Sequence, residues 1–332
     1  MGTETNICNI GADPEIMVTV CCLCYNHQSS VRQMLESVLY QDTKFLYEVI
    51  IHDDASTDAT REIIESMSPG PMCRVKTIFQ KENQYKKGMS AIAGYIMPII
   101  RGKYIAFCEG DDRWSDNSKL QRQIDALEKN TGCTLSVHAT GMENAQTKRR
   151  TGCFPPFPLK EGILTAEQYL NKELGEGRWM FHLSSVMIRR DILDEIRTVG
   201  ESLFVHSFYI VGDEPLILYC LSRGDAYYIQ REMSVYRVNT GGFMTTLRKD
   251  VGTALRVHCG YIDGFREYDS FTQGKYHPYL EKAILRRKFE IDRLQRDYLA
   301  LTHNPDYRFI LKERKAWKRV LYHFCAAFQR FA

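Results

Sequence analysis

No stretch of this 332-residue chain approaches the ~20 consecutive apolar residues needed to cross a bilayer, so no membrane span is expected. The N-terminus also lacks the basic cluster and apolar run of an export signal, which points to a cytoplasmic protein. Net charge is small. Lys and Arg number 44 against 41 Asp and Glu, and the resulting +3 is too little to hold the whole chain on nucleic acid. Two nucleotide-binding signatures are missing: without G-x-x-x-x-G-K-[ST] the common nucleotide hydrolases are excluded, and without G-x-G-x-x-G so is the usual dinucleotide turn. Internal repeats and low-complexity segments are absent as well. Cysteine is plentiful, at 11 residues, but the count is odd and the placement is apolar: Cys21, Cys22 and Cys24 lie inside one hydrophobic run and Cys108 ends another. Such cysteines read as buried thiols of a reducing compartment rather than as disulfides or zinc ligands.

The chain does contain a regular alternation of short apolar runs and helical patterns. Residues 1–15 read as a loose polar leader. Met17–Leu23 is a short apolar run rich in Val and Cys, the pattern of a strand buried on both faces, and it ends at Tyr25-Asn26-His27. A helix follows, with Val31, Met34, Leu35, Val38 and Leu39 at helical spacing behind Ser29 or Ser30 as cap. Tyr47–Ile51 is the next strand and ends in Asp53-Asp54-Ala55-Ser56-Thr57-Asp58. A helix through Ile63, Ile64 and Met67 leads to a third strand, Val75–Phe79. Met89–Ile100 reads as a helix, Tyr104–Cys108 as a fourth strand ending in Glu109-Gly110-Asp111-Asp112, and Asn117–Lys129 as a helix. Alternation of this kind builds an α/β fold with a mainly parallel central sheet, Rossmann-like and flanked by helices. Ligands of such sheets bind beyond the carboxyl ends of the strands, where Tyr25, Asp54, Asp111 and Asp112 are delivered together.

Further on, Leu135–Ala139, Leu183–Ile188 and Ala226–Ile229 read as strands, Glu214–Ser222 as a helix and 145–162 as a loop. After residue 250 the pattern is helical. The expected organisation is therefore the leader, a domain over 16–245 and a helical C-terminal extension over 246–332.

Adjacent carboxylates at a strand end suit a hard divalent cation carried on a substrate diphosphate, and they also suit two solvated acids that cap the next helix. The adjacency of Asp53 and Asp54 does not fit the D-x-D spacing of the haloacid-dehalogenase phosphatases. Taken in order, these segments resemble the family 2 glycosyltransferases, inverting enzymes of the GT-A fold. The resemblance rests on Val18-Thr19-Val20 through Tyr25-Asn26, on Asp53-Asp54-Ala55-Ser56-Thr57-Asp58, on Gly102-Lys103-Tyr104-Ile105 leading to Glu109-Gly110-Asp111-Asp112-Arg113-Trp114, and on Lys119-Leu120 with Gln123. It implies a nucleotide-sugar donor, most simply a UDP-sugar, with Mn²⁺ or Mg²⁺ as cofactor. By the same resemblance Tyr25 stacks on the nucleobase, Asp54 accepts from its ring N–H, Asp111 faces ribose or sugar hydroxyls and Asp112 coordinates the metal.

The family's general base lies on a loop before a late helix, which Ile210-Val211-Gly212-Asp213-Glu214-Pro215 resembles. Asp213 is then the base and Glu214 the alternative, on the acceptor side. Asp213 also fits as an N-cap ahead of Pro215, and a helix N-terminus favours the ionised carboxylate that a base needs. Trp179, ahead of His182-Leu183-Ser184-Ser185, is placed where it can stack on an acceptor sugar. Asn239 stands where many members carry a His, so the resemblance supplies no third protein ligand for the metal. The implied acceptor is a hydroxyl of a glycan or a lipid-linked glycan, as in bacterial surface polysaccharide assembly. Competing readings are a nucleotidyltransferase on a similar sheet and a non-catalytic nucleotide-sugar-binding module.

The last 27 residues, 306–332, hold seven Lys and Arg against Asp306 and Glu313, a local net +5. Ile310, Trp317, Leu321, Phe324, Phe328 and Phe331 recur among them at helical intervals. A helix of that kind lies on an anionic membrane surface, or packs its apolar stripe on the catalytic domain or on a twin subunit as a homodimer contact.

Overall fold

The computed structural model describes residues 15–87, 91–199, 214–238 and 249–329. Four strands, β1 (Val18–Cys24), β2 (Tyr47–Asp53), β3 (Cys73–Phe79) and β4 (Tyr104–Glu109), run parallel in the order β3-β2-β1-β4. β1 is apolar except at Thr19, β2 carries Glu48, His52 and Asp53 among its apolar residues, and both are buried on both faces, as the centre of a parallel sheet requires. The crossover helix α1 (Val31–Leu39) buries Val31, Met34, Leu35, Val38 and Leu39, and α2 (Thr60–Glu65) buries Thr60 and Ile64. The sheet then changes character. β5 (Arg113–Trp114), α3 (Lys119–Lys129), β6 (Cys133–Asn144), β7 (Arg150–Phe154), β8 (Gly162–Leu164), α4 (Ala166–Leu170), β9 (Met187–Arg189), α5 (Arg190–Val199), α6 (Glu214–Arg223) and β10 (Asp225–Val238) complete it. β9 joins β4 to β6 antiparallel, β10 runs parallel to β6, and β5 turns back against β10.

The described residues sort into two units. One, made of 15–166, 179–199 and 214–238, carries the sheet. Its core gathers Val18, Val20, Cys22, Cys24, Val49, Ile51, Ala106 and Cys108 with the inner faces of α1 and α3. Seven of the described cysteines are buried and all ten are free, so here they act as small hydrophobes. Cys21 and Cys24, three apart on one strand, point to opposite faces. The second unit comprises 167–178 and 249–329. It contains α7 (Val251–Phe271), α8 (His277–Gln295), α9 (Tyr298–His303), α10 (Arg308–Glu313) and α11 (Ala316–Gln329). The last four close around Phe289, Leu301, Tyr307, Ile310, Leu311 and Tyr322. Among the described residues no helix is long and apolar enough to cross a membrane.

Several elements differ from the sequence expectation for identifiable reasons. The segment 145–162 contains β7, paired antiparallel to β6, rather than loop alone. Residues 183–188 divide into a 3-10 turn, Leu183–Ser185, and the short β9. There the serines bond locally instead of joining a ladder: Ser185 Oγ donates to the His182 carbonyl at 2.7 Å. The helix expected over 89–100 is a π turn at Ile92–Ile96 followed by a 3-10 turn at Met97–Ile99, the change falling at Pro98, which has no N–H to donate. The C-terminal helix is broken at Arg314, whose ψ of 148° is extended, so Ile310 faces the core of its unit while Leu321 and Phe324 face outward.

Candidate active site

Register brings the functional strand ends level. Leu23 pairs with His52 on one side and Glu109 on the other, and Cys24 pairs with Asp53. The ladders extend one step past the strands, where Asp54 N donates to the Cys24 carbonyl at 2.9 Å and Gly110 N to the Leu23 carbonyl at 2.8 Å. The loops after β1 and β2 are also stitched together. Asn26, at φ 55°, donates its N–H to Ser56 Oγ (2.9 Å) and accepts from Thr57 N (2.8 Å). His27 N donates to Thr60 Oγ1 at 2.8 Å. A Cβ at Gly110 would lie 2.3 Å from His27 Nδ1, so a larger residue there would force the imidazole to move.

Within this frame Tyr25 is half-buried at the tip of β1, and Asp111 is half-buried in the turn after β4. Asp53 is occupied locally, accepting from Ser56 Oγ and from Ser56 N (3.1 Å). Asp54 is buried and takes Gln84 N on one oxygen (2.7 Å) and Tyr85 N on the other (3.1 Å), so it caps the turn Tyr85–Lys87 at the same edge. Lys87 is held by Glu82 at 2.7 Å.

Asp112 is fully buried. One oxygen accepts from Ser184 Oγ at 2.5 Å and lies 3.2 Å from His182 Nδ1, while the other accepts from Arg237 N at 3.3 Å. Burial first, and the neighbouring Asp111 charge second, push its carboxyl up to about 8. His182 Nδ1 accepts from Ser184 N (3.4 Å), and Nε2 lies 3.6 Å from Glu109 Oε2. Glu109, Asp112 and His182 thus offer one ligating atom each, all within 4.8 Å of one another. Two acceptors only 3.2 Å apart, an imidazole nitrogen and a carboxylate oxygen, repel unless a proton or a cation lies with them. The donor set of one imidazole and two carboxylates suits a divalent cation, whose neighbouring ligands sit about 3 Å apart at bond lengths of about 2.1 Å.

Glu109 and His182 stand outside the ligand set read from the sequence. The signal for Glu109 was its place two residues before Asp111. His182 lies 70 positions further on and is brought to Asp112 only by the 3-10 turn. Arg237, buried on β10, is a further addition: Nη1 donates to the Asp111 carbonyl at 3.1 Å and Nη2 to Gln33 Oε1, clamping the Asp111–Asp112 turn.

The acceptor-side candidates divide. Trp179 is exposed and meets Phe154 at 5.8 Å between ring centres; Phe154 stacks on His182 at 6.4 Å, and His182 on Tyr236 at 4.3 Å. The aromatic row therefore ends at the carboxylate cluster. Glu214 opens α6 and is half-buried. Asp213 and Asn239 lie outside the described residues, as does the leader up to residue 14.

Comparison with known proteins adds four findings. Residues 19–197 match the sequence profile described as Glycosyl transferase family 2. The chain is 35% identical over 267 residues to "Uncharacterized protein Rv1520" of Mycobacterium tuberculosis, covering 76% of this chain and 71% of that one. It is 33% identical over 112 residues to the Escherichia coli protein WfaP, named a UDP-Glc:alpha-D-GlcNAc-diphosphoundecaprenol beta-1,3-glucosyltransferase, covering 34% of this chain and 41% of the relative. In structure it resembles S. aureus TarS 1-349 in complex with UDP-GlcNAc, with a TM-score of 0.56, 14% identity and coverage of 88% and 78% of the two chains. At that identity the likeness speaks for the GT-A fold.

Proposed function

The chain belongs to glycosyl transferase family 2, and we propose that it transfers a sugar with inversion from a UDP-sugar to a hydroxyl of a glycan or lipid-linked glycan, with Mn²⁺ or Mg²⁺ as cofactor. The observation that carries this reading is the meeting of three strand ends at one edge, with Glu109, Asp112 and His182 aimed at one point beside them. A divalent ion there, held by Asp112 with His182 and Glu109, would neutralise charge on the leaving diphosphate. Tyr25 offers a ring face for the base. Asp54 keeps lone pairs beyond the two that cap Gln84 and Tyr85, and can take a base N–H. Asp111 faces the sugar or ribose hydroxyls. Trp179 heads the aromatic row on which an acceptor sugar stacks. Asp213 removes the acceptor's proton, with Glu214 the alternative. These roles are assigned to a domain over 16–245, and a helical extension is assigned to 246–332. The donor and lipid-linked acceptor written into the name of the E. coli relative favour a UDP-sugar and a lipid-linked acceptor here.

The test begins with a panel of nucleotide sugars scored for Mn²⁺-dependent thermal stabilisation. Asp213→Asn should abolish transfer while donor stabilisation persists; undiminished transfer refutes the base assignment. His182→Ala should weaken Mn²⁺ binding, measured by calorimetry without substrate, by about tenfold or more. Wild-type affinity in that variant removes His182 from the ligand set.

A further inference from the structure

α11 turns Tyr322 and Ala326 inward. Its other side carries Val320, Leu321 and Phe324, which are 70%, 46% and 61% exposed, with exposed Ala316 and Ala327 on the same stripe. Spacings of three and four residues place these on one helix face. Beside the stripe, and continuous with it through Leu321, lies an open groove of about 380 Å³. Arg293, Arg296 and Lys318 line it together with Tyr298, Leu321 and Tyr322, and among the described residues no acidic one does. The groove is held in shape by Gln329, whose Nε2 donates to the Arg296 carbonyl at 2.7 Å and whose Oε1 accepts from Tyr298 N at 2.9 Å.

Several acids of the unit are engaged. Glu290 takes Arg293 and Arg314, Glu313 takes Arg286, Asp292 accepts from the Tyr307 hydroxyl, and Asp297 caps α9. The surface beside α11 is therefore dominated by cations, in line with the net +5 of residues 306–332. A cationic groove adjoining an exposed apolar stripe matches the layered chemistry of a membrane surface, phosphate above hydrocarbon. A second copy of the chain matches it less well. A two-fold contact along α11 would bring two cationic grooves towards each other, with no acidic counterpart in the lining.

We propose that this face of the helical unit docks on an anionic phospholipid bilayer, with Arg296 and Lys318 engaging lipid phosphates while Val320, Leu321 and Phe324 enter the acyl boundary. The proposal stands apart from the transfer chemistry, because it uses none of the active-site residues.

Co-sedimentation of the full chain with vesicles tests it, comparing pure phosphatidylcholine with a mixture containing about one-third phosphatidylglycerol. Binding to the anionic vesicles should be stronger by about tenfold or more and should weaken as salt is raised. Val320→Ser with Phe324→Ser should lower it on both kinds of vesicle. Arg296→Glu with Lys318→Glu should remove the anionic preference. Val320, Phe324 and Arg296 are exposed and Lys318 is half-buried; an unchanged melting temperature and Mn²⁺ binding serve as the folding control for both variants. Equal sedimentation with neutral vesicles, or wild-type binding by either variant, overturns the proposal. So does a dimer in light scattering that the serine variant dissociates, which would assign the face to a second copy.

Discussion

At the scale of single residues, buried charges carry most of the testable chemistry. Glu48 is fully buried on β2, accepting from Thr19 Oγ1 at 2.7 Å and Arg101 N at 2.8 Å, with Lys76 and Arg101 ion-paired to it at 3.0 and 3.2 Å. Glu48→Ala leaves these donors without their acceptor, and denaturant titration should show a loss of about 3–5 kcal/mol. Lys119 is also fully buried, with Nζ donating to Gln123 Oε1 at 2.6 Å and lying 4.0 Å from the Trp114 ring centre. Burial pushes its amine down from 10.5 to about 7. Between those values the unfolded chain holds a proton that the folded chain has released, so this group makes the fold more stable as pH rises from about 7 towards 10.5. Lys119→Met should flatten the rise; denaturant midpoints of variant and parent compared at about pH 7 and about pH 9.5 check it. The aspartates at the sheet edge were legible as a group because strand ends are legible. Their division of labour was less so, since the cap that Asp54 places on Gln84 and Tyr85 depends on where a later turn lies.

At the scale of elements, α3 is the strap of the active site. Gln123 Nε2 donates to the Ser185 carbonyl at 2.9 Å and to the Ser136 carbonyl at 3.2 Å, tying α3 to the turn that presents Ser184 and His182 to Asp112. Gln123→Leu keeps the side-chain volume and removes both bonds, together with the acceptor of Lys119 Nζ. Mn²⁺ affinity should fall by about tenfold with the far-ultraviolet circular dichroism unchanged; unaltered affinity would show that the turn holds itself. β1 and β4 meet equally closely at Gly102, where a Cβ would lie 2.3 Å from Thr19 N, an atom of the backbone. Gly102→Ala must part the strands and should lower stability by about 1–3 kcal/mol in denaturant titration. Helices with a clear apolar period, α1 and α3, were readable from the sequence. The turn at 183–185 was not, because its serines sit among apolar residues that suit a strand and its shape follows from bonds to His182 and Asp112.

At the scale of the whole molecule, each unit has its own core. Phe289 is fully buried in the helical one and meets Tyr307 edge-on at 5.3 Å and Tyr322 at 6.1 Å. Phe289→Ala should lower the stability of that unit by about 3–5 kcal/mol, while Mn²⁺ binding to Glu109, Asp112 and His182 persists at temperatures below its transition. Calorimetry with and without Mn²⁺ separates the two effects.

The α/β class, the parallel half of the sheet and the edge at which Tyr25, Asp54, Asp111 and Asp112 gather were determined by the sequence alone. Local pattern suffices there: an apolar strand, a polar tip and an amphipathic helix recur within a few tens of residues, and parallel pairing brings the tips level. The completion of the carboxylate pair into a Glu109–Asp112–His182 cluster, the clamp of Arg237 and the outward turn of Leu321 and Phe324 were decided by tertiary structure. Those features join residues separated by many tens of positions, or depend on which face of a helix a neighbour covers. No periodicity records either relation, because both arise only when the chain is packed.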